Sequence, residues 1–144
     1  MNLKTALVSL VATAAASAPA VAAWPPNNSQ TVSGALDLSQ ASVVPCDVTI
    51  DLSIDSSGDP IITGVGFLPG FSFCGSIVVP TGSWEADWGP GANEITLSIG
   101  WRSMIGSCAG VVVADFNHAT NTITFNNVVV PGTPSDCYVD GSLS

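Results

Sequence analysis

Polar and apolar residues alternate one by one over much of this chain. From Cys46, "CDVTIDLSID" puts Val48, Ile50, Leu52 and Ile54 on one face and Asp47, Thr49, Asp51, Ser53 and Asp55 on the other. A side-chain period of two belongs to an extended strand with one buried and one wetted face. "SSGDP" follows as a turn, with Gly and Pro supplying its backbone angles, and "IITGVGFL" reads as the returning strand. "EITLSIGW" repeats the pattern, with Ile95, Leu97, Ile99 and Trp101 on one face. "GVVVADF" and "NTITFNNVVV" read as two more strands joined by the turn-like "NHAT". "TVSGALDLS" opens the sheet and "CYVDGSLS" closes it. Many short strands at close spacing, broken by Gly and Pro, predict an all-β chain: a single antiparallel β-sandwich or barrel-like domain.

The exception to this patterning is the N-terminus. Lys4 precedes the apolar, small-residue run "ALVSLVATAAASA", and "PAVAA" offers the small residues that a signal peptidase reads. Residues 1–23 are therefore expected to be a signal peptide, with Ala22 as the alternative cleavage point. The run is short for a membrane span of about 20 residues and lacks a basic stop-transfer flank, so no transmembrane anchor is expected. What remains is one secreted β domain, residues 24–144. Its expected location is extracellular, with the periplasm or cell surface as alternatives.

Charge narrows the partners. The chain holds two Lys or Arg against eleven Asp or Glu. Loss of Lys4 with the leader leaves Arg102 as the one cation and a formal charge of −10. Such a surface repels nucleic acid and anionic membranes. With 47% apolar residues the composition is the opposite of a disordered one.

Cys46, Cys74, Cys108 and Cys137 all follow the leader, and an even number in an exported chain reads as two disulfides. Spacing alone leaves three pairings open. The two intervals are alike, however. Each holds a strand, a polar turn, an Ile-Thr strand (Ile62-Thr63, Ile123-Thr124) and a Pro-Gly break (Pro69-Gly70, Pro131-Gly132) before its second cysteine. Two hairpin-like halves, about 46–74 and 108–137, each most simply carry their own bond, Cys46–Cys74 and Cys108–Cys137. Zinc normally wants closer cysteine pairs, and none is expected.

Catalytic chemistry is hard to find. His118 is the one histidine, in the predicted hairpin tip "FNHATN", and reads as a solvated turn residue rather than a general base. No G-x-S-x-G elbow is present. Asp51 and Asp55 lie about 13 Å apart at strand rise, too far to share a calcium ion, and Asp59 does not complete a loop of that kind. In "GSWEADWGPGANE", Trp84 and Trp88 share one parity and Glu85 and Asp87 the other. That pattern fits either two core tryptophans with wet acids opposite or an aromatic sugar platform. The sequon at Asn27 matters only in a glycosylating host. The expectation is no catalytic residue, no metal and no cofactor.

"PCDVTIDLSIDSSGDPIITGVGF", "CGSIVVPTGSWEADW", "GSCAGVVVADFNHATNTITFNNVVVPGTPSDC" and the terminal "VDGSLS" together resemble the secreted bacterial activators of alkane oxidation, the PraB-like family. The resemblance runs over nearly all of the chain after the leader, and its most specific part is "NHATNTITFNNVVVPG". It implies extracellular help in using long-chain hydrocarbons and carries no catalytic residue across. The expected partners are hydrocarbon surfaces or a biosurfactant, contacted by Trp24, Trp84 and Trp88, because indoles favour wet–apolar boundaries. Two alternatives stand beside it: a self-assembling matrix or surface subunit whose strand edges pair, and a carbohydrate-binding module built on Trp84 and Trp88.

Overall fold

The computed structural model describes residues 28–69 and 73–144; the leader, Trp24, the Asn27 sequon and Gly70 lie outside them. Ten strands make up the described chain: β1 Ser29–Gln40, β2 Ser42–Ile54, β3 Pro60–Leu68, β4 Val79–Pro80, β5 Glu85–Trp88, β6 Glu94–Arg102, β7 Ser107–Asn117, β8 Thr122–Val130, β9 Gly132–Thr133 and β10 Cys137–Leu143. None of the described residues is helical.

All the strands belong to one antiparallel sheet in the order β3-β2-β1-β10-β8-β7-β6-β4. β5 pairs with β6 below β4, and β9 pairs with β7 beyond the end of β8, so the path has eight lanes. The sheet curls until β3 comes within 8 Å, between Cα atoms, of β4 and β5. It is a nearly closed barrel. The strands that open and close the chain stand side by side in mid-sheet, Leu36 opposite Gly141 and Leu38 opposite Val139.

Alternation explains the interior. Val48, Ile50, Leu52 and Ile54 of β2 point inward, as do Ile95, Leu97, Ile99 and Trp101 of β6 and Phe116, Ile123 and Phe125 across the β7–β8 hairpin. An eight-lane barrel is just wide enough for such side chains to fill it. Two departures from period two are built in. Thr63 is the extra residue where β3 slips against β2, and β8 carries the extra residue where it slips against β10, Asn126 and Asn127 standing opposite Asp140 alone. In β8, Asn126 and Asn127 are both exposed, and Asn127 takes a φ of 48°, a left-handed conformation Asn tolerates better than most residues. Its N–H is donated to the Asp140 carboxylate at 2.9 Å. "TITFNNVVV" is thus a bulged strand, in which Phe125 and Val130 face in while Val129 faces water.

The disulfides are Cys46–Cys74 and Cys108–Cys137, with Cα separations of 5.7 and 6.1 Å, well inside the range a disulfide spans. The second Pro-Gly break has a steric reason. The Pro131 ring lies 2.6 Å from where a Cβ on Gly110 would sit, and a Cβ on Gly132 would meet the Cys137 sulfur at 2.6 Å. Only glycine lets the chain pass the sulfur at that distance. Closing loops of this length contributes about 3–4 kcal/mol each in the chain-entropy model. Replacing Cys108 and Cys137 together by Ser is expected to lower unfolding stability in urea by about 2–5 kcal/mol and leave the β signal in circular dichroism native at low denaturant. Gly132→Ala is expected to be destabilising with or without the neighbouring disulfide, because the added Cβ would also meet the Ser135 backbone carbonyl oxygen at 2.5 Å.

Candidate functional site

The two tryptophans singled out in "SWEADW" close the barrel. No ladder joins β3 to β5, and the seam is bridged instead by indoles. Trp84 meets Phe67 of β3 edge-to-face, with centroids 6.1 Å apart, and donates its Nε1–H to the Gly100 carbonyl at 3.0 Å. Trp88 donates its Nε1–H to the Gly58 carbonyl, in the turn before β3, at 2.7 Å. Both side chains are half-buried against the core. Glu85 and Asp87 project into water on the opposite face of β5. Shallow depressions of about 330 and 410 Å³ run along the seam, with Ile62 and Trp84 in both.

His118 does occupy the turn between β7 and β8, but its ring is not free in solvent. It packs on Phe116 at 4.7 Å and Trp88 at 5.4 Å between centroids. Its Nε2 lies 3.0 Å from the Ala92 carbonyl, which makes Nε2–H the donor, while Nδ1 is enclosed without a partner. The turn "NHAT" therefore docks on the aromatic cluster rather than dangling, a long-range contact that local turn chemistry does not report. The open depression beside it, about 770 Å³, is lined by Asn93, Asp115, Asn117 and Asn126, with Asn126 donating to the Asp115 carboxylate at 2.6 Å. No nucleophile stands within hydrogen-bond reach of His118 among the contacts of the described residues.

Asp55 sits in the turn past the end of β2, where its carboxylate accepts the N–H groups of Ser57 and Asp59 at 2.9 Å each. It shapes the turn and is not gathered with Asp51 around a common centre. Among the described residues no group of three His, Cys, Asp or Glu is placed to hold a metal ion.

The most asymmetric feature is the distribution of exposed apolar side chains. Met104 is 84% exposed, Phe73 67% and Val43 63%. Leu68, Ile105 and Tyr138 are exposed as well. These six lie at one end of the barrel, where β1 turns into β2, β3 and β6 finish, and β7 and β10 begin, whereas exposed Val111, Val113 and Ile61 lie away from it, along β7 and at the start of β3. Tyr138 stands opposite Ser39 and Val129, and Ser39 opposite Val43, so the outer face of β2-β1-β10-β8 carries a row that is apolar except for Ser39 on β1. Both disulfides lie at the same end, tying the segments that carry Phe73 and Tyr138 to β2 and β7. The opposite end carries the turns with Asp55 and Asp59, the Glu94–Asp115 pair, and His118. Arg102, Asp136 and Asp47, which stands opposite Leu68, are charged residues beside the apolar end.

Sequence patterning did not single out this end, because alternation says which face of a strand a residue is on and not which end of a barrel is greasy. The one available signal was "SMIGS", an apolar pair in a short link between strands. Trp84 and Trp88, chosen from the sequence as contact candidates, bridge the seam and stay half-exposed, Trp84 lining both depressions. Trp88 has an N–H acceptor and two ring neighbours, while the Gly100 carbonyl met by Trp84 also accepts the Thr81 N–H. Trp88→Phe is therefore expected to cost about 1–3 kcal/mol in chemical denaturation, and Trp84→Phe less than about 1 kcal/mol.

No curated protein and no solved structure matches the chain at a significant level. A family model does, over residues 1–144, and its description is alkane oxidation protein activator, PraA/PraB-like. With a patterned, doubly stapled β-barrel and a match across its full length, this chain belongs to the PraA/PraB-like family of alkane oxidation protein activators.

Proposed function

We propose that this protein is a secreted, non-catalytic accessory factor that promotes alkane utilisation by adsorbing at the hydrocarbon–water boundary through its disulfide-bearing end. The observation that carries the reading is the gathering of Val43, Leu68, Phe73, Met104, Ile105 and Tyr138 at one end of a barrel whose other end is polar and acidic. Transfer of an exposed apolar side chain out of water contributes about 1.5–3 kcal/mol when complete. Six side chains half-transferred still provide several kcal/mol, many times thermal energy. The acids on the remainder of the barrel keep it in water and keep coated droplets apart. Two disulfides stop the exposed end from collapsing onto itself or unfolding at the boundary. Export is supported by the leader pattern and by the disulfides, which persist in oxidising compartments. Among the described residues no helix is long and apolar enough to cross a membrane.

The protein is expected to prolong the life of a hexadecane emulsion relative to an acidic β protein of similar size. Equal lifetimes at neutral pH would remove the basis for this reading. Met104→Asp combined with Phe73→Ser should shorten the lifetime severalfold with the fold intact, since both side chains are spread in water and support no core. Lowering the pH toward the isoelectric point of about 4.1 protonates carboxylates, removes repulsion and should let droplets merge even where adsorption persists. Droplet size and interfacial tension, followed together, separate those two steps.

A further inference from the structure

Among the described residues Met104 is the most exposed large apolar side chain, at 84%. It belongs to the link "SMIG" between β6 and β7, just past the Arg102–Ser107 pair that ends their ladder. The link is ordered. The Ser103 N–H is donated to the Gly106 carbonyl at 2.8 Å and the Ile105 N–H to the Ser103 hydroxyl at 3.1 Å. Gly106 lies so close to the Thr133 carbonyl that a Cβ there would have no room. Met104 is therefore held out in water at the tip of a fixed turn, and it takes no part in the core.

Its sulfur also stands alone chemically. The chain has two methionines, Met1 and Met104, and Met1 lies in the expected leader. All four cysteines are paired as disulfides with buried sulfurs. Among the described residues Met104 thus carries the one sulfur not bonded to another. Trp101 is buried, and Trp84 and Trp88 are half-buried against the core, so the indoles are less open to an oxidant. A thioether is oxidised to a sulfoxide, which turns a flexible apolar side chain into a polar one.

We infer that Met104 is a modification site for hydrogen peroxide, and that its sulfoxide releases the apolar end from the hydrocarbon boundary. The sulfur lone pair attacks one peroxide oxygen, the S–O bond forms, the O–O bond breaks and water leaves. The sulfur gives up two electrons and the peroxide takes them. The barrel stays folded and stapled, because Met104 supports nothing inside it. Only the tip changes, from a side chain that gains by leaving water to one that must be desolvated to enter oil. Dithiol-dependent sulfoxide reductases reverse the step. The site of oxidation follows from exposure and chemistry alone, whereas its consequence rests on the proposed interfacial role.

The experiment treats the purified protein with hydrogen peroxide and follows mass, stability and partition onto hexadecane droplets. One added oxygen is expected, mapped to the peptide that holds Met104, with urea unfolding unchanged. Partition should fall about tenfold, the equivalent of about 1.4 kcal/mol. Met104→Leu keeps an apolar side chain and loses the sulfur, so it should bind droplets like the unaltered protein before and after peroxide. Met104→Gln, polar and uncharged, should bind as weakly as the oxidised protein. The inference is overturned by a Met104 that survives while free methionine in the same tube is consumed, by a sulfoxide that leaves partition undiminished, or by an equal loss in Met104→Leu. Failure of the untreated protein to bind droplets is a different result. It sinks the interfacial role, and the switch with it, even where the sulfoxide forms.

Discussion

The barrel depends on sealing its interior along a line where backbone hydrogen bonds do not reach. A sheet of eight lanes that curls on itself must either complete the ladder or cover the last gap with side chains. Here β5 is only four residues long and β3 is bulged at Thr63, so their backbones do not pair. Trp84 and Trp88 take over, each using the ring as cover and the N–H as a tie. The inward side chains of β2 and β6 are buried, and those rings cover the seam beside them. The same arrangement blunts the β3 edge, which carries no charged residue of its own, against pairing with another chain.

Stapling and amphipathy occur at the same end of the molecule, and the pairing makes physical sense. Segments that expose Phe73, Met104 and Tyr138 to water gain nothing from burial and have little local reason to hold a shape. The two disulfides and the close passage of Gly132 along the Cys137 sulfur provide that reason. The polar end is ordered by other means, in particular the Asp55 turn and the stack of His118 on Phe116 and Trp88.

Much of this architecture was legible in single residues. The alternation around Ile50 and Leu97 marked inward faces, and the duplicated Ile-Thr and Pro-Gly spacing led to the right cysteine pairing. Legibility failed where the third dimension decides. "VVV" at 128–130 looks uniformly apolar, yet the bulge at Asn127 turns Val129 out and Val130 in. Trp84 and Trp88 were recognisable as special, but whether an indole is a platform or a seal depends on which strand arrives beside it. His118 looked solvated because its partners, Ala92 and Trp88, are remote in sequence.

The pairing of β1 with β10 fixes where the first and last described residues sit on the barrel. Ser33 and Ser144 exchange both of their backbone hydrogen bonds, and Asn28 accepts from the Ile54 N–H. Asn28 and Ser144 therefore both lie toward the acidic end and away from Met104, with Ser144 set five residues along β1 from Asn28. A group attached to the barrel beside Asn28 or Ser144 stands clear of the exposed side chains of Phe73 and Met104.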